Sequence, residues 1–313
     1  MSPPTSDVGD SPRVGATSLD DLTTEAGSRA NADYELRSTI ELVELMNAQD
    51  AIVPDAVRGV AREIAAAIDA VSSRLARGGR LVYAGAGSSG RIAALDASEC
   101  ESTFSTRPGE VVALVAGGVD SPPLVQEAAE DDRAAGEQAV EALDVRPEDT
   151  VLGVSASGRT PYVLGALAAA ARAGALTACV VSVEGSELGR LAEHEIAVLV
   201  GPEFIAGSTR LKAGTAQKLV LNMLSTISMI RLGKTFGNLM VDVQATNEKL
   251  RARVVRIVRT ATGASEKEAE RALRAADGET KVAIVSLLAD VDAADARSLL
   301  EASGQNVREA SSR

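Results

Sequence analysis

The sequence predicts an α/β fold built on a doubly wound parallel sheet flanked by helices. Between residues 80 and 232, short apolar and β-branched runs alternate with stretches of helical pattern. Apolar strands separated by helices are typical of a parallel sheet that is covered on both faces. We predict its strands at Leu81–Ala84, Glu110–Val115, Val151–Val154, Leu176–Val183 and Ile196–Val200.

Helical patterns fill the segments between the predicted strands and also precede the first one. Their apolar residues recur with the spacing that places them on one face of a helix. We predict helices at Tyr34–Asn47, Pro54–Ala76, Gly90–Ser98, Pro123–Ala142, Pro161–Ala173 and Ala213–Leu232.

The two ends of the chain differ from this α/β pattern. Residues 1–18 are rich in Pro, Ser, Gly and Asp and predict a disordered leader. Residues 19–250 are predicted to form the main domain, and residues 251–313 a small C-terminal three-helix module. After a helix at Glu248–Thr260, the helices of this module are predicted at Glu266–Ala275, Thr280–Ala289 and Ala293–Ala302.

Composition excludes several classes of function. The formal net charge is −12, and aromatic residues make up only 2% with no Trp, so nucleic acid and anionic membrane are poor partners. Two cysteines, Cys100 and Cys179, make no disulfide framework, and with the single histidine, His194, they form no familiar metal spacing. The sequence therefore predicts a cytoplasmic protein without metal or other cofactor.

Two glycine- and serine-rich segments carry the strongest functional signal. Gly85-Ala86-Gly87-Ser88-Ser89-Gly90-Arg91 and Ser155-Ala156-Ser157-Gly158-Arg159-Thr160-Pro161 each follow a predicted strand and precede a predicted helix. Such a unit directs free backbone N–H groups and a helix N-terminus toward an anion, and hydroxyl groups add further donors. The pair favours an anionic sugar or nucleotide over ordinary strand-to-helix turns.

The first segment also fits the Gly-x-Gly-x-x-Gly pattern of dinucleotide-binding folds. Those folds need an acidic residue about twenty residues later, at the end of the second strand. Here the second strand leads into Ala116-Gly117-Gly118, and Asp120 lies beyond it. No P-loop pattern occurs either, which argues against a P-loop nucleotidase. Nicotinamide binding is therefore the weaker interpretation.

Carboxylates are the main candidates for chemistry. Glu99 lies near the end of the helix that follows the first segment, and Glu130 lies in the helix after the second strand. Two carboxylates with different pKa values can divide general acid and general base roles. On spacing alone, both positions could equally be solvated surface glutamates without a catalytic role. Cys100, likewise, is explained as a small buried thiol.

Five motifs are spread over the chain: Ala84–Arg91, Leu95–Cys100, Ser157–Tyr162, Gly207–Lys218 and Gly237–Val243. With these motifs the chain resembles the N-acetylmuramic acid 6-phosphate etherase family, and the similarity runs from about Leu22 into the terminal helices. The resemblance implies the sugar isomerase (SIS) fold, a homodimer, and cleavage of a lactyl ether to N-acetylglucosamine 6-phosphate and D-lactate.

The resemblance also implies roles for individual residues. Glu99 matches the acid that protonates the departing lactate, and Glu130 matches the other active-site glutamate, to which we assign removal of the C2 proton. The second segment is expected to bind the substrate phosphate, and the first segment completes this phosphate site. The implied substrate residues are Ser155, Ser157, Gly158, Thr160, Ser88, Ser89 and Gly90.

One departure from the family lies next to Glu99. Where the family usually has Pro-Pro-Thr, this chain has Glu101-Ser102-Thr103. Loss of two prolines is expected to loosen a loop beside the acid.

Two other functions stay open: a sugar-phosphate sensor like the glucokinase regulatory protein, and a sugar-phosphate isomerase. Retention of both Glu99 and Glu130 favours the etherase.

A homodimer is predicted independently from apolar surface. The helices near Tyr34–Asn47 and Ala213–Leu232 carry more apolar residues than one sheet face needs, and a two-fold interface would bury the surplus. The surplus residues are expected to include Leu219, Leu221, Leu224 and Ile227.

Overall fold

The computed structural model describes residues 33–243 and 248–312, so the predicted leader at residues 1–18 lies outside the described residues. Its centre is a five-stranded sheet in the order β2-β1-β3-β4-β5, and every neighbouring pair is parallel. The predicted parallel sheet is therefore confirmed. The strands are β1 Leu81–Gly85, β2 Val111–Val115, β3 Thr150–Val154, β4 Leu176–Val181 and β5 His194–Ala197.

The fifth strand is present, but it starts and ends earlier than predicted. It begins at His194, two residues before the prediction, and pairs Ala178 with His194 and Cys179 with Glu195. The predicted strand had left out the charged run Glu193-His194-Glu195. Because β5 is an edge strand with one open side, it tolerates charged side chains that a central strand would exclude.

Helices cover both faces of the sheet, which confirms the doubly wound architecture. Leu81 and Tyr83 belong to the core beneath one helical layer, whereas Val82 and Ala84 belong to the core beneath the other. This alternation follows from the two-residue period of a strand. The first layer contains α2 Val53–Gly59, α3 Ala61–Ala76, α4 Gly87–Phe104 and α9 Lys212–Arg231; the second contains α6 Arg133–Ala142, α7 Pro161–Arg172 and α8 Glu187–Leu191.

Two helices predicted to be continuous are interrupted. The helix predicted at Pro54–Ala76 breaks at Val60, where the backbone leaves the helical region. The helix predicted at Pro123–Ala142 ends as α5 Pro123–Glu130, and α6 begins afresh because the Asp132 side chain caps it, accepting a hydrogen bond from the Ala135 N–H at 2.9 Å. This second break places Glu130 at the C-terminus of α5.

Helix α4 is longer than predicted at both ends. It starts at Gly87, so Ser88, Ser89 and Gly90 lie in its first turn, and it continues through Glu101 and Ser102 to Phe104. The expected loosened loop beside Glu99 is therefore wrong. Without prolines, every residue of this turn keeps the N–H that a helix needs.

Two helices that were expected to supply dimer surface behave differently from each other. Helix α1, Thr39–Asp50, has no buried residue at all, and Ile40 and Val43 are exposed. In α9, by contrast, Leu221 and Leu224 are fully buried in the core of the subunit, so the prediction that they are surplus was wrong. Burial of these two follows from the packing of α9 against α3 and α4.

The C-terminal helices have an apolar core of their own. Val254 and Val258 of the first of these helices contribute to it, together with Val241 and Val243 from the segment before it. The predicted domain boundary at 250/251 falls inside a helix. The three helices predicted for this module are present with the predicted bounds, and a short helix follows them. The C-terminal helices are α10 Glu248–Thr262, α11 Glu266–Ala275, α12 Thr280–Ala289, α13 Ala293–Ala302 and α14 Val307–Ala310.

Among the helices that the structure describes, none combines the length and the apolar character needed to cross a membrane.

A two-stranded antiparallel hairpin, β6 Thr235–Phe236 and β7 Leu239–Met240, follows α9. This hairpin closes one side of the cavity described below.

Candidate active site

The carboxyl ends of β1 and β3 lie side by side, with Gly85 opposite Val154. After β1 the chain returns to the sheet as β2 on one side, and β3 then lies on the other side of β1. This is the point at which the strand order reverses, where doubly wound sheets bind their ligands. The two segments singled out in the sequence leave the sheet here, one from each strand.

The first segment is the N-terminal turn of α4. Gly87 has φ +52°, a left-handed conformation that favours glycine, and Ser88 and Ser89 are half-buried. The first N–H groups of a helix have no partner within it, so this turn presents donors to an anion. Ser88 and Ser89 lie in this turn, and their contact with a phosphate stays a prediction.

Gly90 has a packing role in the same turn. A Cβ atom on Gly90 would lie 2.8 Å from the Gly85 carbonyl oxygen and 2.9 Å from Val115 Cγ1. Its own N–H donates to the Ala86 carbonyl at 3.0 Å. Close packing of α4 on β1 therefore explains this glycine, and its contact with substrate stays a prediction.

The second segment folds into a compact ring of hydroxyl groups. Ser155 Oγ lies 2.9 Å from Thr160 Oγ1 and 3.4 Å from Ser157 Oγ, and it accepts a hydrogen bond from the Gly158 N–H at 3.1 Å. Gly158 has φ +64°, and a Cβ there would lie 2.4 Å from Ser186 Cβ. The ring precedes the N-terminus of α7, so hydroxyl groups and helix N–H groups converge on one point.

Glu130 contacts the second segment and lies close to the first. Its Oε1 lies 3.5 Å from Thr160 Oγ1, and its Oε2 is 3.8 Å from the position of a Cβ on Gly87. The side chain is half-buried, and burial raises the pKa of its carboxyl group; Asp131 raises that pKa further, while the Thr160 hydroxyl opposes the shift. A carboxyl group of raised pKa at the switch point is suited to proton transfer.

Glu99 lies in a different region of the subunit. It follows Gly87 by twelve residues in α4, which is about 18 Å along a helix. Its side chain is exposed and opens on a cavity of about 540 Å³. The structure therefore brings Glu130 to the two segments but does not bring Glu99 to Glu130 within one subunit.

The cavity beside Glu99 lies between α4, α9 and the β6–β7 hairpin. Beneath it, the Asp96 carboxylate accepts hydrogen bonds from Tyr83 Oη at 2.8 Å and Ser225 Oγ at 3.2 Å. Burial raises the pKa of Asp96 and these bonds oppose the shift. Polar residues that line the cavity include Asp96, Glu99, Lys218, Asn222, Ser225 and Asn238.

Sequence reasoning gave no role to the cavity residues other than Glu99. A signal was present, because the motifs Gly207–Lys218 and Gly237–Val243 contain Lys218 and Asn238. Neither motif showed which of its side chains would face Glu99, because Glu99, Lys218 and Asn238 lie on separate elements of the fold.

The remaining candidates have structural explanations. Cys100 is buried, and burial raises the pKa of its thiol to about 12, so it is an unreactive core residue. His194 is part of β5. In residues 33–243 and 248–312, no three His, Cys, Asp or Glu side chains cluster as metal ligands would.

Comparisons with known proteins agree with this geometry. The domain family described as "Glucokinase regulatory protein N-terminal SIS domain" matches residues 63–171, and the family described as "SIS domain" matches residues 131–227. The sheet, its switch point and these family matches together define a protein of the SIS class.

Whole-chain relatives identify the family. An N-acetylmuramic acid 6-phosphate etherase of Streptomyces coelicolor is 58% identical, covering 93% of this chain and 94% of the relative. One from Escherichia coli O139:H28 is 47% identical over 93% of this chain and 98% of the relative. Among solved structures, a phosphoheptose isomerase from Francisella tularensis has a TM-score of 0.49 at 19% identity, covering 62% of this chain and 100% of that one.

This chain belongs to the N-acetylmuramic acid 6-phosphate etherase family. It is accordingly an enzyme, a carbon–oxygen lyase, and the resemblance predicted from the motifs is confirmed. The high identity to etherases over almost the whole chain does not favour the sensor or the isomerase.

Proposed function

We propose that this protein cleaves the D-lactyl ether of N-acetylmuramic acid 6-phosphate, yielding N-acetylglucosamine 6-phosphate and D-lactate during recycling of cell-wall amino sugar. The position of Glu130, hydrogen-bonded to Thr160 and close to Gly87, is the observation that carries the proposal. A proton-transfer group in this position supports a sugar phosphate held between the two segments.

Substrate phosphate binds between the two segments. The hydroxyl groups of Ser155, Ser157 and Thr160 form the ring at the end of β3, and the first turn of α4 supplies N–H groups together with Ser88 and Ser89. Glu130 then lies on the sugar side of the phosphate.

Glu130 removes the C2 proton. When the pyranose ring opens, C1 becomes an aldehyde, and the C2–H bond becomes acidic. The electron pair of that bond forms the C2=C3 double bond as the C3–O bond breaks. A base of raised pKa is a stronger proton acceptor, and the burial of Glu130 provides this property.

Glu99 protonates the ether oxygen as lactate leaves. It then takes a proton from water, whose oxygen adds at C3 while C2 regains a proton, so the net reaction is hydrolysis of the ether. Glu99 has the matching position in the family motif Leu95–Cys100. Because Glu99 and Glu130 lie far apart in one subunit, this division of labour requires a second subunit.

The active unit is a homodimer in which each site is completed by the partner. Helix α1 has no buried residue, and Ile227 and Ile230 of α9 are also exposed in the single subunit. Ile230 lines the cavity of Glu99, so the apolar surface and the proposed acid share one face. A two-fold contact through this face would bury both the exposed apolar side chains of α9 and the cavity of Glu99. We further propose a cytoplasmic location, in keeping with two free, buried cysteines.

Incubation with N-acetylmuramic acid 6-phosphate, followed by assay of free D-lactate, tests the proposal. Release of D-lactate and N-acetylglucosamine 6-phosphate in equal amounts supports the etherase. Tight binding without turnover would contradict it and favour a sensor. Exchange of the C2 hydrogen or isomerisation without lactate release would instead favour an isomerase.

The phosphate assignment leads to a second prediction. Ser157→Ala together with Thr160→Val is expected to raise KM by roughly 10-fold or more, because phosphate oxygens lose two donors worth about 1–3 kcal/mol each. Steady-state kinetics on N-acetylmuramic acid 6-phosphate measures this. The matched control is Ser298→Ala with Thr260→Val, whose hydroxyl groups bond only carbonyls of their own helices. An unchanged KM would place the phosphate elsewhere.

The raised pKa of Glu130 predicts a pH dependence. Activity requires the ionised carboxylate, so kcat/KM should fall as the pH drops through the raised pKa. Asp131→Asn removes one charge that raises this pKa. The acidic limb of the pH profile of kcat/KM should therefore move to lower pH. Asp69→Asn, on exposed surface of α3, should leave the limb in place. A limb that does not move in Asp131→Asn would contradict the role of Glu130.

A further inference from the structure

We infer that the cavity beside Glu99 is the subsite for the lactyl group, and that Lys218 binds the lactyl carboxylate within it. The inference rests on the proposed function, because it assumes that Glu99 protonates the ether oxygen. It adds a specificity-determining residue that recognises the leaving group rather than the sugar phosphate.

Substrate chemistry requires a cation close to Glu99. In a lactyl ether, a single carbon atom separates the ether oxygen from the carboxylate. Wherever Glu99 meets the ether oxygen, the carboxylate must therefore lie within the same cavity. Glu99 and Asp96 both line this cavity, so an unneutralised carboxylate would be repelled.

Lys218 is the cation that lines this cavity, on α9 opposite Glu99 on α4. Its Nζ donates a hydrogen bond to Asn222 Oδ1 at 3.0 Å, and the structure records no ion pair for it within residues 33–243 and 248–312. The ammonium group is exposed and retains donors for a second acceptor. A lysine held by a neutral amide rather than a carboxylate keeps its charge available for a ligand.

Other cavity groups complete the recognition. Asn222 fixes the Lys218 ammonium, and Asn238 adds an amide on the hairpin side. The cavity, at about 540 Å³, has ample room for a three-carbon acid. Asp96 accepts hydrogen bonds from Tyr83 and Ser225 below. The charge of Lys218 lowers the pKa of Asp96 from a distance, without an ion pair between the two side chains.

Equilibrium binding tests the inference without depending on turnover. In a Glu99→Gln background, dissociation constants are measured for N-acetylmuramic acid 6-phosphate and for its neutral analogue, in which the lactyl carboxylate is a carboxamide. Adding Lys218→Met is expected to weaken binding of the acid by about 10- to 100-fold, as loss of a charge-assisted hydrogen bond would. Binding of the amide should change little, and Lys218→Arg should retain most of the preference for the acid.

The control and the contrary results are distinct. Lys267→Met removes an exposed lysine from α11, far along the chain from the cavity, and should alter neither constant. Equal losses for acid and amide in Lys218→Met, or no loss for either, would overturn the inference. If wild-type protein releases no D-lactate, the proposed function fails, whereas the acid-over-amide preference and its loss in Lys218→Met remain measurable.

Discussion

Replacing Glu99 by Gln is expected to abolish D-lactate release, with a loss in kcat of about 10²- to 10⁴-fold or more. The amide preserves the size of the side chain but has no acidic proton for the ether oxygen. Because Glu99 is exposed at the surface of α4, the substitution leaves the core intact. Binding of the sugar phosphate should persist, so the loss appears in kcat rather than in affinity.

Two measurements make this result specific. Exchange of the C2 hydrogen with solvent should continue in Glu99→Gln if Glu130 alone performs that step. The matched control is Glu101→Gln, an exposed glutamate two residues further along the same helix, which should retain near-normal turnover. Near-normal lactate release by Glu99→Gln itself would contradict its role as the acid.

Local patterns in the sequence predicted much of the fold. The β-branched runs located β1 and β3 within a residue, and the glycine- and serine-rich segments correctly marked where the chain leaves their carboxyl ends. Strands in the middle of a parallel sheet are apolar on both faces, so their composition is distinctive. The charged edge strand β5 lacks that signal, which explains its misplacement.

Contacts between distant segments could not be predicted in this way. Glu130 and Thr160 are thirty residues apart in the sequence, and no local pattern shows that their side chains meet. Likewise, Leu221 and Leu224 have the same apolar character as Ile227, and only the packing of α9 shows which of them are buried. The cavity beside Glu99 combines residues from α4, α9 and the hairpin, so it exists only in three dimensions.

The separation of the two glutamates leads to the last prediction, in which two inactive variants restore each other. Glu99→Gln and Glu130→Gln subunits, each inactive alone, are expected to recover activity when allowed to exchange. If a site takes Glu99 from one subunit and Glu130 from its partner, a mixed dimer has one site with both lesions and one site with neither. Random pairing at equal amounts makes half of the dimers mixed, so activity should reach about a quarter of wild type.

The physical basis is the distance along α4. Glu130 lies against Gly87 at the start of that helix, whereas Glu99 is about 18 Å further along it, and C2 and C3 of one sugar are adjacent atoms. Differently tagged subunits confirm that exchange has occurred, and mixing Glu99→Gln with a Glu99→Gln/Glu130→Gln double variant serves as the control that must stay inactive. Mixed dimers that form but remain inactive would show that both glutamates act within one subunit, contradicting the shared site.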